Sequence, residues 1–400
     1  MGESVFEGIT VIELGDWVAT PYATSLLGDF GADVIKVESP GSLLNSRKLG
    51  GFEPTDSERS PFFSVFCRNK RSITLDIRSE RGHGLLLELL TRADVMVASF
   101  RPGTLESWGL GWEALHELNP SLILLMISAY GQTGPWSARP GFDRVAQAFS
   151  GLTYVTGSPD CPPTRAGLGV ADFTTGLFGA YGVAMALYER QRSGQGQYID
   201  HSLYESILPM LCEIPVQFQM HGMIRERTGN QYPDIVPGDA FRTSDDRWVQ
   251  ISASGDAPFQ RLARAMDRLD IADDERYDSL EHRALWPEEL HQIVREWVSS
   301  KTVDEVESVL DQADVPACRI MNIADLMAHP QVQARENFVP FTDPVFGVIP
   351  AGAPTPRLSR TPGSLRSPGP RIGQDNETIF TGLLGLSKDD LADLVREGVV

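Results

Sequence analysis

Cysteine is scarce in this chain. Four thiols (Cys67, Cys161, Cys212 and Cys318) are scattered over 400 residues, with no CxxC and no Cys/His spacing suited to a metal. That scatter argues against a disulfide framework or a zinc site and fits a reducing cytoplasm, with each thiol expected as a small core residue and no metal expected. Positive charge is also short: 54 Asp and Glu face 35 Lys and Arg, a formal net charge of −19. Phosphate backbones and anionic lipid heads are poor partners for such a surface, so no nucleic acid and no membrane are expected. No apolar run reaches about 18 residues, which argues against a membrane-spanning helix. The acidic start, Met1 to Glu7, has no signal-like apolar stretch. Signature motifs are missing too. Where a dinucleotide site would carry G-x-G-x-x-G, the chain reads Glu13-Leu14-Gly15-Asp16-Trp17-Val18, and neither G-x-S-x-G, HExxH nor a Walker pattern occurs.

What is present is an α/β alternation. Short β-branched runs at Ile9–Leu14, Ala32–Glu38, Ser72–Ile77, Asp94–Phe100 and Leu122–Tyr130 are interleaved with helical patterns such as Pro21–Phe30 and Gly82–Arg92. Nearly continuous apolar strands between helices predict a parallel, Rossmann-like sheet covered on both faces. A Gly/Pro-rich stretch from Gly131 to Asp143 reads as an irregular loop, where backbone can approach a ligand. Asp172–Arg190 reads as a long helix ending at Gly194, and Ser202–Gln219 as another, kinked at Pro209 and Pro215. From about Tyr232 the pattern becomes a hairpin (Ala240–Ile251) followed by helices Pro258–Asp267, Pro287–Ser299 and Val303–Ala313, an α+β unit. Val345–Arg371, rich in Pro and Gly, reads as an extended surface connection, and Ser387 as the N-cap of a last helix.

Asp172 is the carboxylate of most interest. It lies in Gly167-Leu168-Gly169-Val170-Ala171-Asp172-Phe173, between a glycine-rich loop and an apolar helix. It is either an ordinary N-cap or a reactive group, held ionised by the helix dipole and flanked by backbone N–H groups able to stabilise charge on an acyl group. The cations Arg68, Lys70, Arg71, Arg78, Arg101 and Arg139 cluster around strand ends and the glycine-rich loop, and together point to an anionic ligand. His201, at the start of an apolar stretch, reads as structural.

These motifs stand in a familiar order. Gly8–Leu14, Leu27–Glu38, Asn69–Asp76, Phe100–Gly103, Tyr130–Pro135, Arg139–Asp143, Ala171-Asp172, Ser193–Gln197, Leu384–Ser387 and Arg396–Val400 together make the chain resemble the class III CoA-transferases. That group holds the formyl-CoA:oxalate and carnitine CoA-transferases and the related α-methylacyl-CoA racemases, and the likeness spans essentially the whole chain. It implies transfer of CoA from an acyl-CoA to a carboxylic acid through a covalent aspartyl-CoA thioester, with Asp172 as the catalytic aspartate. It places CoA, the co-substrate, on Val18 and Ala19, on Leu75, Asp76 and Arg78, on Phe100 and Arg101, and on the loop bearing Arg139, Phe142 and Asp143. Ser254-Gly255-Asp256 falls near the glycine loop that covers the site in the family. Ser39 and Ser107 stand where relatives often have nucleotide-binding arginines.

The implied architecture is a large Rossmann-like domain formed by both chain ends plus a smaller α+β domain. The expected segments are 1–190 (large domain), 191–225 (helical linker), 226–330 (small domain) and 331–400 (return linker and the rest of the large domain). The resemblance also implies an interlocked homodimer, with the connections at Arg190–Tyr232 and Pro330–Arg371 available for threading. Two alternatives accompany it: a 2-methylacyl-CoA racemase or epimerase, and a CoA-binding protein without catalysis. The racemase branch carries a catalytic histidine where Phe142 stands, and phenylalanine cannot move a proton.

Overall fold

The computed structural model describes residues 4–50, 58–232 and 235–400; Met1–Glu3 of the acidic start lie outside them. Two units are formed. One comprises Met1–Leu152, Ala166–Gly222 and Arg335–Val400; the other comprises Thr153–Arg165 and Met223–Ala334.

The first unit is built on β1 (Thr10–Leu14), β2 (Asp33–Glu38), β3 (Lys70–Thr74), β4 (Val95–Ala98), β5 (Ile123–Ser128) and β6 (Tyr198–Ser202). They pair in parallel in the order β3-β2-β1-β4-β5-β6. Successive residues point to opposite faces of a strand, so one run feeds two cores. Ile12, Ile35, Met96 and Leu124 pack on one face, and Val11, Val34, Val95 and Ile123 on the other. Burial on both faces is why these strands read as continuous apolar runs.

The helix Ala19–Asp29 follows β1, and the 24-residue helix Val170–Ser193 lies beside it. Gly176 permits this approach: a Cβ there would stand 2.9 Å from the Ala19 carbonyl oxygen and 2.8 Å from the Tyr22 ring. The long helix has the length and apolarity of a membrane span. However, Ala171, Thr175, Gly179, Val183 and Leu187 are buried within the unit, which marks it as a core helix. Its other face exposes Leu177, Tyr181, Met185 and Tyr188.

Beneath the sheet edge lies an ionic cluster. Lys36 Nζ donates to Glu13 Oε1 at 2.6 Å and to the Gly15 carbonyl at 2.8 Å, and Lys70 Nζ donates to Glu13 Oε2 at 2.8 Å. All three side chains are fully buried. Burial alone would push the Glu13 carboxyl up, but the two ammonium groups outweigh it and hold the pKa at about 2.

Several expectations are corrected here. β6 occupies a segment without a strand reading, because an edge strand carrying Asp200 and His201 has no apolar run. The helix expected over Ser202–Gln219 is instead a short 3-10 turn, Leu208–Leu211, and a helix, Ile214–His221. Pro209 and Pro215 do not kink one helix; each sits in the first turn of its own, where a missing N–H costs nothing. The connection after Val345 begins inside an antiparallel hairpin of β10 (Phe338–Asp343) and β11 (Gly347–Gly352), so its first part is paired strand rather than free connection. Only Cys67 is a core thiol, while Cys161, Cys212 and Cys318 are exposed.

The C-terminal segment returns to the first unit. The Asn69 amide donates to Ser364 O and its oxygen accepts from Arg366 N, Gly369 N donates to Ser64 O, and Asp76 N donates to Val399 O. Buried Asp343 accepts from Arg59 and Ser64.

In the second unit β7 (Gly238–Arg242), β8 (Trp248–Ser252) and β9 (Ala317–Arg319) form an antiparallel sheet. The helices Asp256–Ala265, Pro287–Ser299 and Val303–Gln312 complete its core through Phe259, Leu290, Val294 and Val306. Ser254-Gly255-Asp256 joins β8 to the first of these helices. The buried Arg283 guanidinium fixes it, donating to Ser254 O at 2.6 Å and Asp256 Oδ1 at 2.8 Å.

Candidate functional site

The strand order reverses between β1 and β4, and the loops that leave their carboxyl ends diverge. Open α/β sheets bind ligands in the crevice at such a point. Here the crevice is a cleft of about 220 Å³ lined by Asp16, Trp17, Ala19 and Thr20 after β1, and by Ser99, Phe100, Arg101 and Pro102 after β4. Ile127, Ser128 and Ala129 at the end of β5, the loop residues Ser137 and Arg139–Phe142, Leu203 and Asp172 complete the lining.

Asp172 is not the N-cap of the long helix. Gly169 is, and Asp172 is the third helical residue. The cap comes from another element: Asp143 Oδ1 accepts from Ala171 N at 2.9 Å and from Asp172 N at 3.3 Å. Phe173 N is likewise satisfied, by Gly169 O. The N–H groups expected to face an acyl group are therefore already used, and the dipole acts on Asp143. The consequence for Asp172 is opposite in sign to the sequence expectation. Burial, and then the neighbouring Asp143 carboxylate, push its pKa from 3.8 up to about 7. Asp172 accepts no side-chain hydrogen bond among the described residues. The cleft's other carboxylate, Asp16, accepts from Asn45 N, Asn45 Nδ2 and Ser46 N, each at 2.9 Å. Burial pushes Asp16 up as well, but those backbone donors outweigh it and lower its pKa. One carboxylate is locked as a structural anion and the other is free and basic, a pairing that separates chemical roles.

Asp172 faces the start of the Ala19–Asp29 helix, because it precedes Gly176 by one turn on the same face. That helix has no side-chain cap at Val18. Pro21 has no N–H and Tyr22 N donates to Val18 O, so the Ala19 and Thr20 N–H groups and the positive dipole end are what the helix offers to negative charge in the cleft. Trp17, at φ +62°, holds a left-handed conformation unusual for a bulky side chain. Its ring meets Phe142 edge-on at 5.2 Å, making an apolar wall.

Of the residues singled out in the sequence, the structure brings Ala19, Phe100, Arg101, Arg139, Phe142 and Asp172 to this cleft. Asp143 stands behind it. Val18 turns to the aromatic cluster of Phe63 and Phe66. Leu75 is buried in the core, and Asp76 and Arg78 pair with each other just past the end of β3. β3 is two strands from β1, about 10 Å along the same carboxyl edge. The expected cation cluster is smaller than the sequence suggested. Arg68 pairs with Asp29, Lys70 with Glu13 and Arg71 with Asp33, because these residues lie against carboxylates of the first two strands and the first helix. His201 lies on β6 and hydrogen-bonds Ser206, away from the lining. Asp16, Thr20, Ile127–Ala129 and Leu203 were missed; the rule that ligands sit beyond strand carboxyl ends would have flagged the ends of β1 and β5.

The model of CoA-transferase family III matches residues 6–376. Succinyl-CoA–D-citramalate CoA-transferase of Chloroflexus aurantiacus is 41% identical over 394 residues, covering 98% of each chain. The succinyl-CoA–L-malate CoA-transferase beta subunit of the same organism is 39% identical over 398 residues, covering 98% of this chain and 97% of that one. Among solved structures, a CAIB/BAIF family protein from Brucella suis superposes with a TM-score of 0.85 at 31% identity, covering 95% of this chain and all of that one.

Proposed function

From its membership of CoA-transferase family III, we propose that this enzyme moves CoA from succinyl-CoA to a carboxylic acid through a thioester on Asp172. The observation that carries the mechanism is the partly buried Asp172 carboxylate, which accepts no side-chain hydrogen bond among the described residues, lies in a cleft at the sheet's switch point, and is pushed up to about 7 by burial and by Asp143. An ionised Asp172 attacks the donor carbonyl; a C–O bond forms, the C–S bond breaks, and CoA leaves as thiolate. The thiolate attacks the aspartyl carbonyl of the resulting anhydride, making the aspartyl-CoA thioester and freeing the donor carboxylate. The acceptor carboxylate attacks that thioester and expels the thiolate again. Thiolate attack on the acceptor acyl carbon then yields the new acyl-CoA and restores Asp172. Every nucleophile and leaving group is an anion, so no proton needs to be carried, which suits a cleft with no histidine among its described lining residues. Covalent steps divide one difficult exchange into easier ones. The uncapped start of the Ala19–Asp29 helix is the assigned stabiliser of oxyanions. Arg101 and the β3 end, with Leu75, Asp76 and Arg78, are assigned to the CoA moiety.

The test is incubation with succinyl-CoA without acceptor, followed by intact and peptide mass spectrometry. A CoA adduct on the peptide bearing Asp172, cleaved by hydroxylamine, is the expected result; full turnover with no adduct would sink the mechanism. A second test uses the charge behind Asp172. Asp143→Asn keeps an oxygen to accept the Ala171 and Asp172 N–H bonds but removes the anion that raises the nucleophile. The rising limb of kcat/KM against pH is expected near 7 in the native enzyme, where burial and Asp143 push the Asp172 carboxyl, and is expected to move down by about half to one pH unit in the variant.

We also assign a homodimer. The exposed stripe of Leu177, Tyr181, Met185 and Tyr188 on the long helix supports it, since apolar side chains aligned on one helix face favour a partner surface. Light scattering is expected to report two chains, and Tyr181→Glu with Met185→Glu to report one.

A further inference from the structure

The cleft is also a place of positive charge that pairs with no carboxylate among the described residues. It is lined by two cations, Arg101 and Arg139, and neither makes a side-chain ion pair or hydrogen bond among the described residues. By contrast, Arg47, Arg59, Arg68, Arg71 and Arg190 all hold carboxylates. Arg139 is free of acids but not loose. Its guanidinium lies 3.8 Å over the Trp136 ring, and Trp136 is wedged against Tyr130 at 5.4 Å and Phe149 at 4.9 Å. Stacking fixes the plane of a guanidinium and leaves its edge, with the N–H fork, for a planar anion.

The same loop ties Arg139 to the nucleophile. Gly141 sits so tightly on the end of β5 that a Cβ would stand 2.6 Å from Ala129 Cβ. Two residues later, Asp143 grips the backbone of Asp172. The guanidinium and the Asp172 carboxylate are thus positioned by one short, anchored loop, with the Trp17–Phe142 wall in the same cleft. The layout matches a short acyl group with its reacting carbonyl at Asp172, its hydrocarbon spine on the aromatic wall and a second carboxylate on the guanidinium edge.

We propose that Arg139 is the specificity-determining residue of the site and selects acyl groups bearing a remote carboxylate, by pairing with that carboxylate. The proposal rests on the transferase reading above. An anion for Arg139 could equally come from a CoA phosphate, and the experiment separates the two sources. Succinyl-CoA and butyryl-CoA share the whole CoA moiety and the same chain length and differ only in the remote carboxylate. The rate of Asp172–CoA adduct formation is measured for each donor, without acceptor, in the native enzyme, Arg139→Gln and Arg139→Lys. The native enzyme is expected to prefer succinyl-CoA. In Arg139→Gln that preference is expected to fall roughly 10- to 150-fold, the range for one charge-assisted pair, with Arg139→Lys in between. Equal losses for both donors would assign Arg139 to a phosphate and overturn the proposal, as would an unchanged preference or a native enzyme indifferent to the two donors. In each of those cases the adduct still forms and the transferase reading stands. A native enzyme that forms no adduct with either donor overturns both.

Discussion

Replacing Asp172 with asparagine is expected to cut CoA transfer by about four orders of magnitude or more, the scale seen when a covalent nucleophile is removed. It is also expected to stabilise the fold at neutral and higher pH. The folded carboxyl titrates near 7, against 3.8 for a free aspartate. Between those values the folded chain holds a proton that the unfolded chain has released, so stability falls as pH rises through that window and stays lowered above it. Asparagine removes the dependence. Allowing for solvent in the cleft, the gain above pH 7 is on the order of 2 kcal/mol. Urea melts from pH 4 to 8, alongside adduct formation by mass spectrometry, read both effects. An asparagine variant as active as the native enzyme would remove Asp172 from the chemistry. One that melts with the native pH slope would remove the account of its titration.

The second large effect is structural. Lys36→Met strands Glu13 in the core with Lys70 as its remaining cation. Breaking a buried pair from one side typically costs about 3–5 kcal/mol, and the surviving Lys70 contact places the expected loss near the lower end. The midpoint of urea unfolding should drop with little change in slope. The double variant Glu13→Gln/Lys36→Met is expected to lose more still, because the buried Lys70 ammonium is then left without its carboxylate. Activity should suffer as well. Lys36 donates to the Gly15 carbonyl, so it anchors the turn that carries Asp16 and Trp17 into the cleft. A KM increase in Lys36→Met, measured without urea where the variant is still folded, would read that anchoring separately from stability.

The two large effects differ in how far the sequence foretells them. Strands β1 to β5 were legible because residues such as Val11, Ile12, Val34 and Ile35 are buried on both faces and leave unbroken apolar runs. β6 was not, since its stability comes from pairing with β5 rather than from its own side chains. Asp172 stood out locally, but the direction of its titration was misread. Burial raises it first, and Asp143, which adds to the rise and takes the N–H groups, lies 29 residues upstream; no local pattern announces a cap supplied by a different helix. Lys70 and Arg71 looked like ligands for phosphate for the same reason: their acidic partners Glu13 and Asp33 are adjacent in space and remote in sequence. Charge type is written in the sequence, but charge pairing is decided by topology.

The return of the chain end to the first unit has a consequence for biosynthesis. Arg59, Ser64, Asn69 and Asp76 wait for partners between Asp343 and Val399. The second unit is finished at Ala334, before those partners have been translated. At about 5–20 residues per second, the ribosome needs on the order of ten to thirty seconds to travel from Gly222 to the last residue. For that interval the nascent first half carries strand edges and ionic side chains without their covering segment, while the second half can already close. The part made first is completed last, so the growing chain depends on whatever shields its unfinished sheet.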